Sequence, residues 1–130
     1  AHVTSLEFYE RVRAFLAPDG IVAVNIADGP GLAFARSQAA TLRLAFADVA
    51  ALAETGILKG RRFGNVVLIA STTALPLEWM PRLMARGPHP ATVTSGRGLI
   101  DWIAGAPVVT DATAVRSPAP STNLFATRRG

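Results

Sequence analysis

The run Ile21–Ala27 is almost wholly apolar, and it ends on an acid, Asp28, followed by Gly29-Pro30-Gly31, three residues suited to a tight turn. Asn25 is the one polar residue inside the run. In open α/β sheets, ligands bind outside the carboxyl ends of parallel strands, so polar groups at such an end are the first place to look for chemistry. A carboxylate there can bind a cation or take up a proton. Both residues also have an architectural reading: Asp28 can cap a helix beginning near Gly31, and Asn25 can hydrogen-bond neighbouring backbone. The sequence leaves both readings open.

Other constellations carry less. The glycines of "DGPG" follow a strand and open a helix, but they lack the G-x-G-x-x-G spacing that lets backbone amides cradle a phosphate, and they read as a turn. Ser71-Thr72-Thr73 follows a strand without the G-x-S-x-G elbow that exposes a nucleophile. His2 and His89 stand far apart, and with no cysteine and no acids at ligand spacing a metal site is not expected. Trp79 and Trp102 read as core residues on short amphipathic helices.

With 130 residues, half of them hydrophobic, the chain has the size of one domain and too little charge for a disordered one. The net charge of +4 comes mostly from dispersed arginines. The basic clusters Lys59-Gly60-Arg61-Arg62 and Arg128-Arg129 have no interleaved aromatics, so a single-strand nucleic-acid platform is not expected. The absence of cysteine suits a reducing compartment, and the cytoplasm is the expected location. No apolar run approaches the ~20 residues that span a bilayer, so no membrane association is expected. Ala1-His2 leads straight into a helix start, which predicts a chain that begins inside a longer protein.

The elements that must position Asn25 and Asp28 follow from periodicity. Thr4-Ser5-Leu6-Glu7 reads as a capping box with Thr4 as the cap, and Phe8, Val12, Phe15 and Leu16 give the following helix one apolar face. Ile21–Ala27 reads as a parallel strand covered on both faces. Leu32, Ala35, Ala39, Leu42 and Phe46 mark a second helix ending near Asp48. Val49–Ala53 is a short strand, and Thr55–Gly64 a glycine-rich loop. Asn65–Ser71, "NVVLIAS", is the clearest strand, and its short connection predicts an antiparallel pair with Val49–Ala53. Pro76 opens a short helix through Trp79, Gly98–Ala104 is another, and the remainder reads as an extended tail.

Read together, these words resemble the spermidine-synthase-like proteins, the polyamine aminopropyltransferase family with a class I methyltransferase-type fold. "HVTSLEFYERVRAFLAPDGIVAVNIAD" is similar to the segment after that family's catalytic loop, "GRRFGNVVLIAS" to its closing strand, and "PVVTDATAV" to its terminal "TD" motif. The resemblance covers most of residues 1–115 and implies an α/β fold, the C-terminal part of a Rossmann-like methyltransferase sheet (strand, helix, strand, reverse strand). Residues 116–130 are expected to form an extended or disordered tail.

The resemblance also implies chemistry. The complete protein would be a transferase using an S-adenosyl-type donor (decarboxylated S-adenosylmethionine), passing an aminopropyl group to a small amine; methyl transfer from S-adenosylmethionine and a non-catalytic partner or oligomerisation module are the alternatives. The donor's glycine-rich loop, its ribose-binding acid and the catalytic aspartate would lie upstream, so no cofactor site and no catalytic residue is assigned within this chain. Asn25 and Asp28 would form part of the acceptor-substrate wall. The sequence departs from the family where spermidine synthases place a tyrosine-proline pair against the polyamine: here stand Arg61-Arg62-Phe63. In that arrangement the strand Ile21–Ala27 has one edge awaiting a strand from the upstream half, which predicts association with that half or pairing with a second copy as a homo-oligomer.

Overall fold

A computed structural model describes residues 5–29, 31–61, 64–75, 91–114 and 122–127. Helix α1 (Leu6–Phe15) leads into β1 (Ile21–Asp28), α2 (Ala33–Ala45), β2 (Asp48–Glu54), the single turn α3 (Thr55–Leu58) and β3 (Gly64–Ser71). After residues 76–90 come β4 (Ala91–Ser95), α4 (Gly96–Ile103), α5 (Asp111–Ala114) and β5 (Thr122–Thr127). The expected helix from Pro76 through Trp79, and both His2 and His89, lie outside the described residues.

The strands form one sheet in the order β4-β2-β3-β1-β5. Strand β3 runs between β1 and β2 and is antiparallel to both, pairing Val24 with Leu68 and Ala51 with Leu68. The expected antiparallel pairing of β2 and β3 is therefore present. Strand β1 corrects the expectation of a parallel strand, since its other neighbour, β5, is antiparallel too, pairing Val24 with Leu124. A continuous apolar run reports burial of both faces and carries no information on strand direction. The edge of β1 expected to await an upstream strand or a second copy is covered by β5 of the same chain.

Alternation along β1 builds two cores of unequal depth. Val22, Val24 and Ile26 are fully buried and face α1, α2 and α4, meeting Tyr9, Leu42, Leu99 and Ile103. Ile21 and Ala23 point to the opposite face and pack against a smaller cluster of Ala50, Leu52, Ile69 and Leu75. Small residues on β2 and α2, among them Ala51, Ala53, Ala35 and Ala39, let the helix layer lie close to the sheet.

The helix caps differ from expectation in one detail. Ser5 caps α1, its hydroxyl accepting from the Phe8 N–H at 3.1 Å and donating to Oδ1 of Asp111. Glu7 Oε1 accepts from the Asp111 N–H at 2.9 Å, while Thr4, the expected cap, lies outside the described residues. The "TD" segment thus straps α1 and α2, with the Leu6 N–H donating to the Val109 carbonyl at 2.7 Å and the Val109 N–H to Thr41 Oγ1 at 2.9 Å.

Tyr9 of α1 is fully buried and donates to Gln38 Oε1 of α2 at 2.6 Å. Burial pushes its phenol well above its ordinary range, because the phenolate would lose its hydration. A group with a raised folded-state pKa contributes stability that is complete below its unfolded value of about 10 and is lost as pH rises above it. Tyr9 is the one tyrosine of the chain, so phenolate absorbance is a clean readout. The expected titration shows phenolate appearing only together with unfolding; a reversible phenolate signal near pH ~10 in the folded chain would contradict the burial.

Candidate functional site at the carboxyl end of strand β1

The corner after β1 has no side-chain cap of its own. Leu32, the residue preceding α2, has a left-handed backbone (φ 56°) and makes no side-chain cap bond. The first amides of α2 are left to other partners. Asp28 supplies one from the end of the strand: Oδ2 accepts from the Ala35 N–H at 2.9 Å, and Oδ1 from the Gly29 N–H at 2.8 Å. A carboxylate at a helix N-terminus is also favoured by the helix dipole. Asp28 is 9% exposed, and each of its oxygens retains one lone pair after these bonds.

The turn itself is closed by its own backbone. The Leu32 N–H donates to the Gly29 carbonyl and the Gly31 N–H to the Gly60 carbonyl, both at 3.1 Å. Gly31 and Gly60 both have positive φ, and a Cβ on Gly60 would come within 3.3 Å of the Gly31 backbone. Close approach of these two loops therefore requires glycine at Gly60. The Gly29 and Gly31 amides both bond protein acceptors, Asp28 Oδ1 and the Gly60 carbonyl, as a turn's would.

Arg36, on the first turn of α2, ties the corner to its surroundings. Its Nε donates to the Gly31 carbonyl at 2.8 Å, its Nη1 to the Trp102 carbonyl, and its guanidinium lies 5.0 Å from the Trp102 ring centroid. Trp102 in turn donates from Nε1 to the Leu58 carbonyl at 2.8 Å. Sequence reasoning placed Trp102 in the core and did not single out Arg36 or Gly60. The signals were a tryptophan, whose N–H needs a partner when half-buried, and a glycine directly after a lysine at a helix end.

The structure does not bring Asn25 and Asp28 onto one surface. Three residues apart on a strand, they point to opposite faces: Asp28 to the helix side with Ile26, Asn25 to the other side, half-buried. The register sets Asn25 opposite Val67 on β3 and Asn123 on β5. Of the Arg61-Arg62-Phe63 stretch, Arg61 is exposed and the other two lie outside the described residues.

No protein-family profile matches the chain, and no curated protein matches it. Among solved structures, the crystal structure of a probable spermidine synthase from Corynebacterium glutamicum ATCC 13032 is similar, with a TM-score of 0.75 and 30% identity over 83% of this chain. The fold is spermidine-synthase-like. The match covers 41% of the neighbour, so the chain spans about two fifths of that protein's length. Among the described residues no helix is long and apolar enough to cross a membrane.

The capping role of Asp28 is open to direct measurement. Asp28→Ala leaves the Ala35 and Gly29 amides without their acceptor and is expected to cost about 1–2 kcal/mol in urea unfolding, while Asp28→Asn, which keeps one carbonyl oxygen, costs less. Equal stability of Asp28→Ala and the parent chain would remove the carboxylate from the architecture of the corner.

Proposed function

We propose that the chain forms the acceptor-side part of a spermidine-synthase-like transferase, in which an aminopropyl group passes from decarboxylated S-adenosylmethionine to a small amine. The observation that carries this reading is the structural match to the probable spermidine synthase, at 30% identity over 83% of the chain. The placement of Asp28 supports it. Its carboxylate sits at the carboxyl end of β1 and keeps acceptor capacity beyond the two amides it caps, the group a cationic amine would seek. Asn25 would border the same strand end from the opposite face. The turn amides are consumed within the protein, so the donor and the base would be held by residues outside this chain, in an upstream half or partner.

One observation favours a second reading, a non-catalytic partner module. β5 closes the edge of β1 from within the chain, where a strand of an upstream half was expected. Methyl transfer from S-adenosylmethionine has no observation of its own in its favour.

Kinetics of the complete protein separate these readings. Aminopropyl transfer to a diamine is expected, and Asp28→Asn is expected to raise the acceptor KM by on the order of tenfold, the equivalent of losing one charge-assisted hydrogen bond, with the donor KM little changed. Calorimetry on the 130-residue chain alone is expected to show no saturable heat with the decarboxylated donor. Equal effects of Asp28→Asn on both substrates would return Asp28 to a capping role only, and absence of any transfer would favour the module.

A further inference from the structure

A groove of about 330 Å³ opens beyond the β1 corner, between the carboxyl end of β2, strand β4 and helix α4. Its lining is Thr55, Leu58, Lys59, Thr92, Thr94 and Trp102, with Gly98 beside them. The volume lies at the small end of the range of about 300–1,000 Å³ found for small-molecule sites. Gly98 and Trp102 are four residues apart on α4 and so share one face, and Thr92 and Thr94 share one face of β4.

Two features give the groove a chemical preference. The Trp102 indole is fixed before any ligand arrives, by its Nε1 bond to the Leu58 carbonyl and by the Arg36 guanidinium near its ring, so a flat apolar surface is offered at little entropic cost. At the mouth, the Thr55 and Thr92 hydroxyls lie 2.6 Å apart. One of their two hydrogens joins them, and the other remains free to donate. The exposed Lys59 ammonium adds three more N–H donors and a positive charge.

We propose that this groove binds a small aromatic anion, its ring against Trp102 and Leu58 and its anionic group held by Lys59 and the Thr55–Thr92 hydroxyl pair. The inference is independent of the transferase reading. A cationic amine or a sulfonium donor is the wrong charge for Lys59, so this is a second site with a different ligand class.

The probe is naphthoate, titrated into the 130-residue chain carrying Trp79→Phe, which leaves Trp102 as the reporting fluorophore. Saturable quenching with a Kd on the order of 1 mM or tighter is expected. Lys59→Gln should weaken it about three- to fivefold, as fits an exposed ion pair, and neutral naphthalenemethanol should bind the parent chain more weakly by a similar factor.

Gly98→Leu should abolish saturable quenching without loss of fold. Gly98 has no positive φ, and a Cβ there would meet only Thr94 Cγ2 at 3.6 Å, so the added side chain extends over the groove. Near-ultraviolet circular dichroism reports whether the variant is folded; if it is not, the ratio of anion to neutral affinity in Lys59→Gln decides. Absence of saturable quenching overturns the proposal, as does undiminished binding in folded Gly98→Leu. Equal affinity for naphthoate and naphthalenemethanol, or a Lys59→Gln variant that binds naphthoate like the parent, overturns it as well.

Discussion

Strand β3 returns between β1 and β2, hydrogen-bonded to each in the antiparallel sense, and the rest of the structure depends on that insertion. Two strands antiparallel to a common neighbour run in the same direction, so β1 and β2 deliver their carboxyl ends to the same end of the sheet without touching each other. The loops that follow them are thereby forced together. The Gly31 amide bonds the Gly60 carbonyl, and the glycine at position 60 has no side chain to hold the backbones apart. The β1 corner is held against the loop after α3 by this meeting.

Asp28 holds the fold at the same position where the proposed acceptor role is argued for it. A helix that starts immediately after a strand has unsatisfied amides, and Leu32 cannot satisfy them. The carboxylate that ends the strand does so instead. The acceptor role argued for it rests on lone pairs that the capping bonds leave over. Arg36 and Trp102 act one layer out, fixing the turn from the helix side and bracing α4 against α3.

Much of this was legible in the sequence, for definite physical reasons. The apolar run of β1, the 3.6-residue periodicity of α2 and the Val/Leu/Ile content of β3 mark local preferences that tertiary packing reinforces. The short link between β2 and β3 dictated their antiparallel pairing. Direction and neighbours of β1 were not legible, because burial of both faces is common to parallel and antiparallel interior strands. Nor was β5: a six-residue strand without periodicity pairs with a partner about a hundred residues away in the chain. The opposed faces of Asn25 and Asp28 follow from simple parity, once the strand is known to continue to Asp28 without a bulge. Ser5 rather than Thr4 as the cap of α1 shows how a helix start is settled by a distant group, here Asp111.

The sheet order is the central claim, and contacts across β1 test it most directly. In a sample mixing isotope-labelled and unlabelled chains, nuclear Overhauser contacts of Val24 with both Leu68 and Leu124 are expected within single chains, at every dilution. Contacts from Val24 to a second copy, or a β1 that meets β3 but has no Leu124 beside it, would contradict the order β4-β2-β3-β1-β5 and with it the closure of the β1 edge.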